Sequence, residues 1–289
     1  MQDILSEIVA NKRLEIAAQK AAVSLAQLRE QVDKLIEEQA ASAQSLPRRS
    51  MKQSLASSPS GIISEFKRRS PSKGWIHQDA QADVIPPAYE AAGASALSIL
   101  TDEKYFGGTL RDIRTARPLT NLPILRKDFI IDEYQLLQAR LIGADAVLLI
   151  AACLTPEECT TLTTQAHTLG LEVLLEIHSD SELAYVNTEV DMVGVNNRNL
   201  GTFVTDVNNS FRIAEALRSK VAETASATGR PLSEVHIPVL VSESGISKPE
   251  VVRQLRDAGF RGFLMGEAFM KTASPGDALK DLLQHLFNG

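Results

Sequence analysis

Residues 61–67 read GIISEFK, a short apolar run that ends with an acid and a base two positions apart. Alternate residues of a β-strand point to opposite sides, so Glu65 and Lys67 should lie on the same side as Ile63. Similar apolar runs recur along the rest of the chain: SALSILT (95–101), LPILRKD (122–128), DAVLLIA (145–151), LEVLLEI (171–177), DMVGVNN (191–197), IPVLVSE (237–243) and RGFLMGE (261–267). We interpret these eight runs as strands.

Amphipathic segments lie between the runs, for example DEYQLLQARLIGA (132–144) and KPEVVRQLRDAG (248–259), and several contain the glycine typical of a helix C-terminus. A strand and a helix together take roughly 25 to 30 residues, the size of a parallel crossover unit. Eight such units predict an α/β fold, a (β/α)8 TIM barrel. The alternative is an open doubly wound sheet, but the G-x-G-x-x-G turn typical of that fold is absent from the sequence.

The first 42 residues contain neither glycine nor proline and carry apolar pairs at helical spacing, such as Ile4 with Ile8. This pattern predicts two helices, followed by a serine-rich connection with room for one more short helix. We therefore expect residues 1–289 to form a single barrel domain, with residues 1–58 as a helical extension and connection packed on the barrel. A second fused barrel is not expected, because one barrel and its extension use the whole length.

The composition favours a folded soluble protein, with 44% hydrophobic residues and a formal net charge of −6. An acidic balance disfavours broad binding to nucleic acid or to anionic membranes. The two cysteines, Cys153 and Cys159, suit neither a disulfide framework nor a C-x-x-C site. The longest apolar run, AVLLIAACL from Ala146, is too short to cross a bilayer, and the N-terminus lacks a secretory signal pattern. A cytoplasmic location is expected.

Polar residues end five of the predicted strands: Glu65 and Lys67, Lys127 and Asp128, Glu176, Asn196 and Arg198, and Glu243 and Ser244. Any one of them alone would indicate a strand that reaches water or a rim ion pair. In a (β/α)8 barrel, however, the C-terminal strand ends meet at one mouth, where active sites lie. The coincidence across five strands predicts a ring of converging acids and bases.

The last two strands end with Ser244-Gly245 and Gly266-Glu267. Barrel enzymes commonly bind a phosphate group at this place through backbone N–H groups, and glycine permits a close approach. Each dipeptide alone is also compatible with ordinary turn geometry. Together they predict a small phosphorylated molecule as ligand.

The motifs EFKRRSPSKG, LSILTDEKYFGG, LRKDFIIDEYQ, GADAVLLI, VNNRNL and VSESGI, in this order and spacing, closely resemble the indole-3-glycerol-phosphate synthase family of tryptophan biosynthesis. The resemblance extends over nearly the whole chain. It implies a (β/α)8 decarboxylating lyase that works without a cofactor. No metal is expected, because the five histidines are scattered and no H-E-x-x-H motif occurs. The implied reaction converts 1-(2-carboxyphenylamino)-1-deoxyribulose 5-phosphate into indole-3-glycerol phosphate, carbon dioxide and water.

The resemblance also implies site residues. Lys127 falls at the family's catalytic lysine and Glu176 at its catalytic glutamate, with Lys67, Glu65, Asn196 and Glu243 in matching motifs. Other residues are expected to contact the substrate or its phosphate, some from the resemblance and some from their place at the strand ends. They are Ser70, Phe129, Arg198, Ser244, Gly245, Gly266 and Glu267.

The chemistry assigns roles to these residue types. We expect Lys127 to be the general acid of ring closure, with burial and the second cation Lys67 easing its deprotonation. Glu176 is expected to accept a proton during dehydration, while either Lys67 or Lys127 helps the hydroxyl group to leave. Lys67 could equally hold the substrate carboxylate or phosphate.

Several features stay open at this level. Trp75 fits a lid over the substrate as well as an ordinary loop anchor, and His178 is interpreted as a loop residue. Residues 222–236 form a longer connection than the resemblance suggests, with an expected effect on stability or assembly. A monomer or weak homo-oligomer is expected, as is a possible association with other tryptophan-pathway enzymes. The competing functions are another phosphosugar barrel enzyme, either an isomerase or a Schiff-base aldolase, and a noncatalytic sensor of phosphorylated metabolites.

Overall fold

The computed structural model describes residues 4–41, 49–199, 201–228 and 238–288, with side chains described outside 224–228. Eight parallel strands form a closed barrel in which each strand pairs with its neighbours in the chain and the last pairs with the first. The strands are β1 (Ile62–Phe66), β2 (Ala96–Leu100), β3 (Ile124–Lys127), β4 (Ala146–Ile150), β5 (Glu172–Ile177), β6 (Met192–Asn196), β7 (Val239–Glu243) and β8 (Gly262–Met265). The predicted barrel and all eight predicted strands are confirmed.

The barrel interior is filled by alternate residues of the strands. Ile63, Leu125, Leu174 and Val241 belong to one buried cluster inside the barrel. Each lies two positions before a polar residue of the predicted ring, so the same strand face is apolar at depth and polar at the mouth.

The opposite end of the barrel is closed by a short helix. Met51 and Leu55, fully buried on this helix, join the interior cluster. The Ser50 side chain caps the helix by accepting a hydrogen bond from the Gln53 N–H. The interior is therefore a packed core that opens only toward the C-terminal strand ends.

Helices cover the barrel. They are α1 (Ile4–Ala22), α2 (Leu25–Ala41), α3 (Met51–Ser57), α4 (Ile85–Ala92), α5 (Glu103–Phe106), α6 (Leu110–Ala116), α7 (Glu133–Ile142), α8 (Pro156–Thr168), α9 (Asn208–Thr228), α10 (Pro249–Asp257), α11 (Glu267–Met270) and α12 (Pro275–Asn288). The two predicted N-terminal helices and the short helix of the connection are confirmed as α1, α2 and α3. None of the helices in the described ranges has the length and apolar character needed to cross a membrane.

One crossover differs from the expected pattern. After β5 the chain forms a 3-10 segment, Asp180–Tyr185, and reaches β6 without an α-helix. The expectation of eight strand–helix pairs is wrong here, because the 14 residues between Ile177 and Met192 contain the 3-10 segment in place of an α-helix.

The predicted long connection at 222–236 begins inside α9, which runs to Thr228. Its remainder, residues 229–236, lies outside the described residues. The proposed effect of this segment on stability or assembly stays a prediction.

Helix α1 is held on the barrel by a buried lysine. Lys12 is 1% exposed, and its Nζ lies 2.9 Å from Asp102 Oδ2 and 3.0 Å from Asp128 Oδ1. Asp102 and Asp128 follow strands β2 and β3 respectively. Burial disfavours the Lys12 ammonium, but Asp128, Asp102 and Glu15 outweigh it and raise the pKa of Lys12 above its ordinary value. This charge cluster therefore joins the N-terminal extension to the rim of the barrel.

Replacing Lys12 by methionine should destabilise the protein strongly. The variant Lys12→Met leaves Asp102 without its buried cation and weakens the pairing of Asp128. We expect the free energy of unfolding to fall by about 3 to 5 kcal/mol, measured by equilibrium urea denaturation.

The control is Lys20→Met, also on α1. It removes the Lys20–Asp132 ion pair of 2.7 Å, whose side chains are 36% and 30% exposed. This loss should stay within about 1 kcal/mol. Equal effects of the two substitutions would contradict the anchoring role of Lys12.

Candidate active site

A single cavity at the C-terminal end of the barrel brings the predicted site residues together. Lining it are Glu65, Lys67, Ser70, Lys127, Phe129, Glu176, Asn196, Arg198, Glu243, Ser244, Gly245, Gly266 and Glu267. The predicted convergence of these positions is confirmed, while the roles assigned to them remain predictions.

Lys127 lies between two carboxylates. Its Nζ donates to Glu176 Oε2 at 2.9 Å and to Glu243 Oε2 at 2.7 Å. The three residues come from β3, β5 and β7, so the ammonium spans the barrel mouth. Because Glu176 and Glu243 are 3% and 1% exposed, these are charge-assisted hydrogen bonds away from water.

The ionisation of Lys127 differs from the expectation. Burial disfavours its charged form, but Glu176, Glu243 and Glu65 outweigh burial and raise the pKa of Lys127 above its ordinary value. Burial by itself eases the deprotonation of Lys127, as expected, but the three carboxylates outweigh this effect. Lys67 cannot act as an uncompensated second cation, because its Nζ is paired with the Glu65 carboxylate.

Glu176 has donors on both of its oxygens. Oε2 accepts from Lys127, and Oε1 accepts from Asn196 Nδ2 at 3.0 Å. His178 Nε2 approaches Oε1 to 3.3 Å. Although burial favours the neutral acid, Lys127 and His178 hold the pKa of Glu176 well below its ordinary value.

The pKa of Glu243 is shifted in the opposite direction. Burial and repulsion from Glu176 and Glu65 outweigh the attraction of Lys127 and raise the pKa of Glu243 to about 7. Its Oε1 has no hydrogen-bond partner within the described part of the chain. The two carboxyl groups that contact Lys127 thus have pKa values shifted in opposite directions, as is typical of acid–base sites.

Two glycines make room for the carboxylates. A Cβ atom at Gly194 would lie 2.1 Å from Glu243 Oε1, and one at Gly266 would lie 2.4 Å from Glu65 Oε1. Gly194, in the middle of β6, was missed from the sequence. A glycine inside a strand was the available signal, since it marks a close approach by another group.

The turn after β7 forms another part of the cavity wall. Ser244 and Gly245 both have left-handed backbone conformations, with φ of 67° and 76°. Serine rarely adopts this conformation, so the turn after β7 holds a strained backbone at the cavity wall. Arg198 Nη1 donates to Ser72 Oγ at 2.8 Å and links two loops beside this turn.

Glu267 is placed in the cavity wall, but its side chain suits a phosphate poorly. Its carboxylate lies 3.8 Å from Lys73 Nζ and 3.7 Å from Arg198 Nη2. A second anion at the same place would repel it, so a phosphate contact from this residue is restricted to its backbone N–H at the start of α11.

The N-terminal helix supplies an apolar wall that the sequence did not reveal. Ile4, Leu5 and Ile8 of α1 line the cavity, as do Phe106 and Phe129, whose ring centroids are 6.0 Å apart. The helical spacing of Ile4 and Ile8 identified an apolar face, but the surface that it covers depends on how α1 docks.

Some neighbours of the site residues face away from it. Asp128, the second polar residue at the end of β3, pairs with Arg126 and Lys12, because it alternates with Lys127 along the chain. The same alternation directs Arg68 away from Lys67, as predicted, and onto Asp112.

Trp75 does not line the cavity. It is half exposed and lies over the Arg69 guanidinium, 5.6 Å from the ring centroid, and against Gly107. A Cβ atom at Gly107 would lie 2.8 Å from the Trp75 ring. This packing corresponds to the loop-anchor interpretation.

The closed barrel and its partly buried lysine between two carboxylates define a (β/α)8-barrel enzyme with an acid–base site at the C-terminal mouth. A sequence model of the family described as indole-3-glycerol phosphate synthase matches residues 5–282. The chain belongs to this family.

Curated relatives carry the same name. The protein of Bacteroides thetaiotaomicron is 62% identical over 284 residues, covering 98% of this chain and 99% of the relative. That of Dechloromonas aromatica is 41% identical over 286 residues, with 98% and 99% coverage. That of Acidithiobacillus ferrooxidans is 40% identical over 292 residues, with 99% of both chains covered.

The raised pKa of Glu243 gives a test by thermal unfolding. Its ordinary pKa is about 4.5 and its folded value about 7, so the folded state binds the proton more tightly. The stability that this proton provides is complete below about pH 4.5 and is lost as the pH rises to 7. Glu243→Gln does not titrate, so the Tm of the variant minus that of the wild type should increase between pH 5 and pH 8. A difference that is the same at every pH would contradict this account of Glu243.

Proposed function

We propose that the acid–base groups of this cavity carry out the indole-3-glycerol phosphate synthase reaction in this chain. The substrate is 1-(2-carboxyphenylamino)-1-deoxyribulose 5-phosphate, and the products are indole-3-glycerol phosphate, carbon dioxide and water. The observation that carries the proposal is the Lys127 ammonium, held at 2.9 and 2.7 Å between the carboxylates of Glu176 and Glu243 in one buried mouth. The family membership of nearly the whole chain supports it.

The two sides of the cavity suit the two ends of this substrate. The apolar wall of Ile4, Leu5, Ile8, Phe106 and Phe129 fits an aromatic ring. The turn at Ser244 and Gly245 and the start of α11 at Gly266 offer backbone N–H groups for the phosphate. Binding in this direction places the ribulose carbonyl near Lys127 and the acids around it.

Lys127 is the proposed acid of ring closure. The aromatic carbon that carries the carboxylate attacks the ribulose carbonyl carbon, and the carbonyl oxygen becomes a hydroxyl by taking a proton. A lysine that is protonated throughout the neutral range can stabilise the developing oxyanion and supply this proton. Carbon dioxide then leaves, and its bonding electrons restore the aromatic ring.

Glu176 is the proposed base of dehydration. The hydroxyl leaves as water with a proton from a lysine, and a proton on the neighbouring carbon passes to a carboxylate, which forms the indole double bond. The lowered pKa of Glu176 keeps it ionised, so that it can take up this proton. Lys127 and Lys67 both remain candidates for the proton given to the leaving hydroxyl, while Glu65, Asn196 and Glu243 orient the lysines and the substrate hydroxyls.

The state of Lys127 also argues against the Schiff-base aldolase. A lysine that attacks a carbonyl needs a deprotonated amine, usually obtained by burial without a carboxylate partner. The two carboxylates on Lys127 favour the protonated form instead. Treatment with borohydride and substrate should therefore leave no covalent adduct on Lys127.

Further assignments complete the proposal. The chain acts as one barrel domain over residues 1–289, in the cytoplasm, as a monomer or weak homo-oligomer. Association with other enzymes of tryptophan biosynthesis is compatible with its place in that pathway.

The decisive experiment is a fluorescence assay of indole-3-glycerol phosphate formation with EDTA present. Wild type should turn over the substrate, and Lys127→Ala and Glu176→Ala should each lose at least about 100-fold in kcat, because each removes a proton-transfer group. Lys34→Ala, at a position 76% exposed on α2, should retain full activity. A folded wild type that binds the substrate without turnover would favour a sensor or another phosphosugar reaction.

A further inference from the structure

His178 is a titratable group beside Glu176 that the proposed reaction does not use. It directly follows β5, two residues after Glu176, and its side chain is 13% exposed. The contact of 3.3 Å between His178 Nε2 and Glu176 Oε1 is on the side of the carboxylate where Asn196 also donates.

A second carboxylate lies on the other side of the His178 ring. Glu182, in the 3-10 segment after β5, places Oε2 3.6 Å from His178 Nδ1 and also accepts a hydrogen bond from the His178 backbone N–H. Glu176 and Glu182 thus lie at ion-pair distance from the two ring nitrogens, although neither nitrogen makes a hydrogen bond within the described part of the chain. Two carboxylates this close to one imidazole favour its protonated form by charge attraction.

The other neighbours of His178 that the structure describes are a neutral amide and charged groups that are paired elsewhere. Helix α9 contributes the Asn209 amide, which donates to the His178 carbonyl at 3.1 Å. Arg212 of the same helix is turned to Asp180. On the barrel side, the cation that faces Glu176 is Lys127, at the other carboxylate oxygen.

We propose that His178 is a positioning residue, an imidazolium held between Glu176 and Glu182 that orients the Glu176 carboxylate and keeps it ionised. The inference deepens the proposed function, because it rests on Glu176 as the base of dehydration. In this arrangement the 3-10 segment keeps Glu182 close to the end of β5. A longer crossover helix would take the chain farther from that strand end.

The electrostatics support this geometry. Burial alone would lower the pKa of His178, but the contacts with Glu176 and Glu182 outweigh it and raise the pKa to about 10. The cation in turn stabilises the charged form of Glu176. Removing it should raise the pKa of Glu176, so a larger share of the base would be protonated and inactive at acidic pH.

The first test is the protonation of His178 itself, followed by ¹⁵N NMR of the histidine rings in the wild-type protein. The His178→Asn variant identifies the signal. We expect this ring to remain an imidazolium through pH 8, and its pKa to fall in Glu182→Gln, which leaves the histidine in place. A His178 ring that titrates near the ordinary histidine pKa of about 6.5 would overturn the inference without any need of turnover.

The second test is the pH profile of kcat for the wild type and three variants. The use of kcat avoids the phosphate of the free substrate, which titrates near pH 6. In His178→Asn the acidic limb should move to higher pH, with a loss of about tenfold at its acidic end and less above pH 8. Glu182→Gln should move the limb in the same direction, whereas His178→Lys, which retains a cation, should stay closer to the wild type.

The outcomes separate this inference from the proposed function. If the wild type is active and Glu176→Ala is not, but the His178→Asn profile is only scaled without a shift, the positioning role is wrong and the base assignment stands. Equal shifts in His178→Asn and His178→Lys would show that the shape of the ring matters rather than its charge, which also overturns the inference. A wild type without turnover rejects the proposed function, while the NMR result still decides the state of His178.

Discussion

The site depends on one partly buried ammonium that is shared by two carboxylates across the barrel mouth. Lys127 is the only link between β3, β5 and β7 at this level in the described hydrogen bonds, and its two partners would otherwise be neighbouring buried anions. The lysine cannot satisfy both equally, so Glu176 remains ionised while Glu243 retains a proton near neutral pH. This imbalance places an ionised carboxylate, a neutral carboxyl group and an ammonium in a single cavity.

Strand alternation divides the segment around Lys127 into two functions. Leu125 and Lys127 face the barrel interior, whereas Arg126 and Asp128 face the surrounding helices, where Asp128 pairs with Lys12. At this one strand end, Lys127 thus contacts the carboxylates of the cavity, while its neighbour Asp128 binds the N-terminal helix. Because α1 also supplies Ile4, Leu5 and Ile8 to the cavity, a shift of this helix would change the apolar wall and the strand end together.

Much of this arrangement follows from local sequence. The alternation of apolar residues predicted the eight strands, and its continuation into Glu65, Lys127, Glu176 and Glu243 predicted their meeting at one mouth. What the sequence could not supply depends on contacts between distant segments. The net pKa of Lys127 could not be read from its own segment because its carboxylate partners come from other strands, and the pairing of Lys67 with Glu65 is a property of the folded structure. His178 is a loop residue, as predicted, but its contact with Glu182 was not foreseen because Glu182 lies in a segment where a helix was expected.

The buried lysine of α1 has a consequence for how the molecule is made. Helix α1 is the first of the described elements to leave the ribosome, but Asp102 and Asp128, to which Lys12 binds, follow two barrel strands that are synthesised much later. At roughly 5 to 20 residues per second, the helix must wait several seconds with Leu5, Ile8 and Ile16 uncovered. Helix α1 is therefore synthesised early but docks late, and the substrate cavity is incomplete until it has docked.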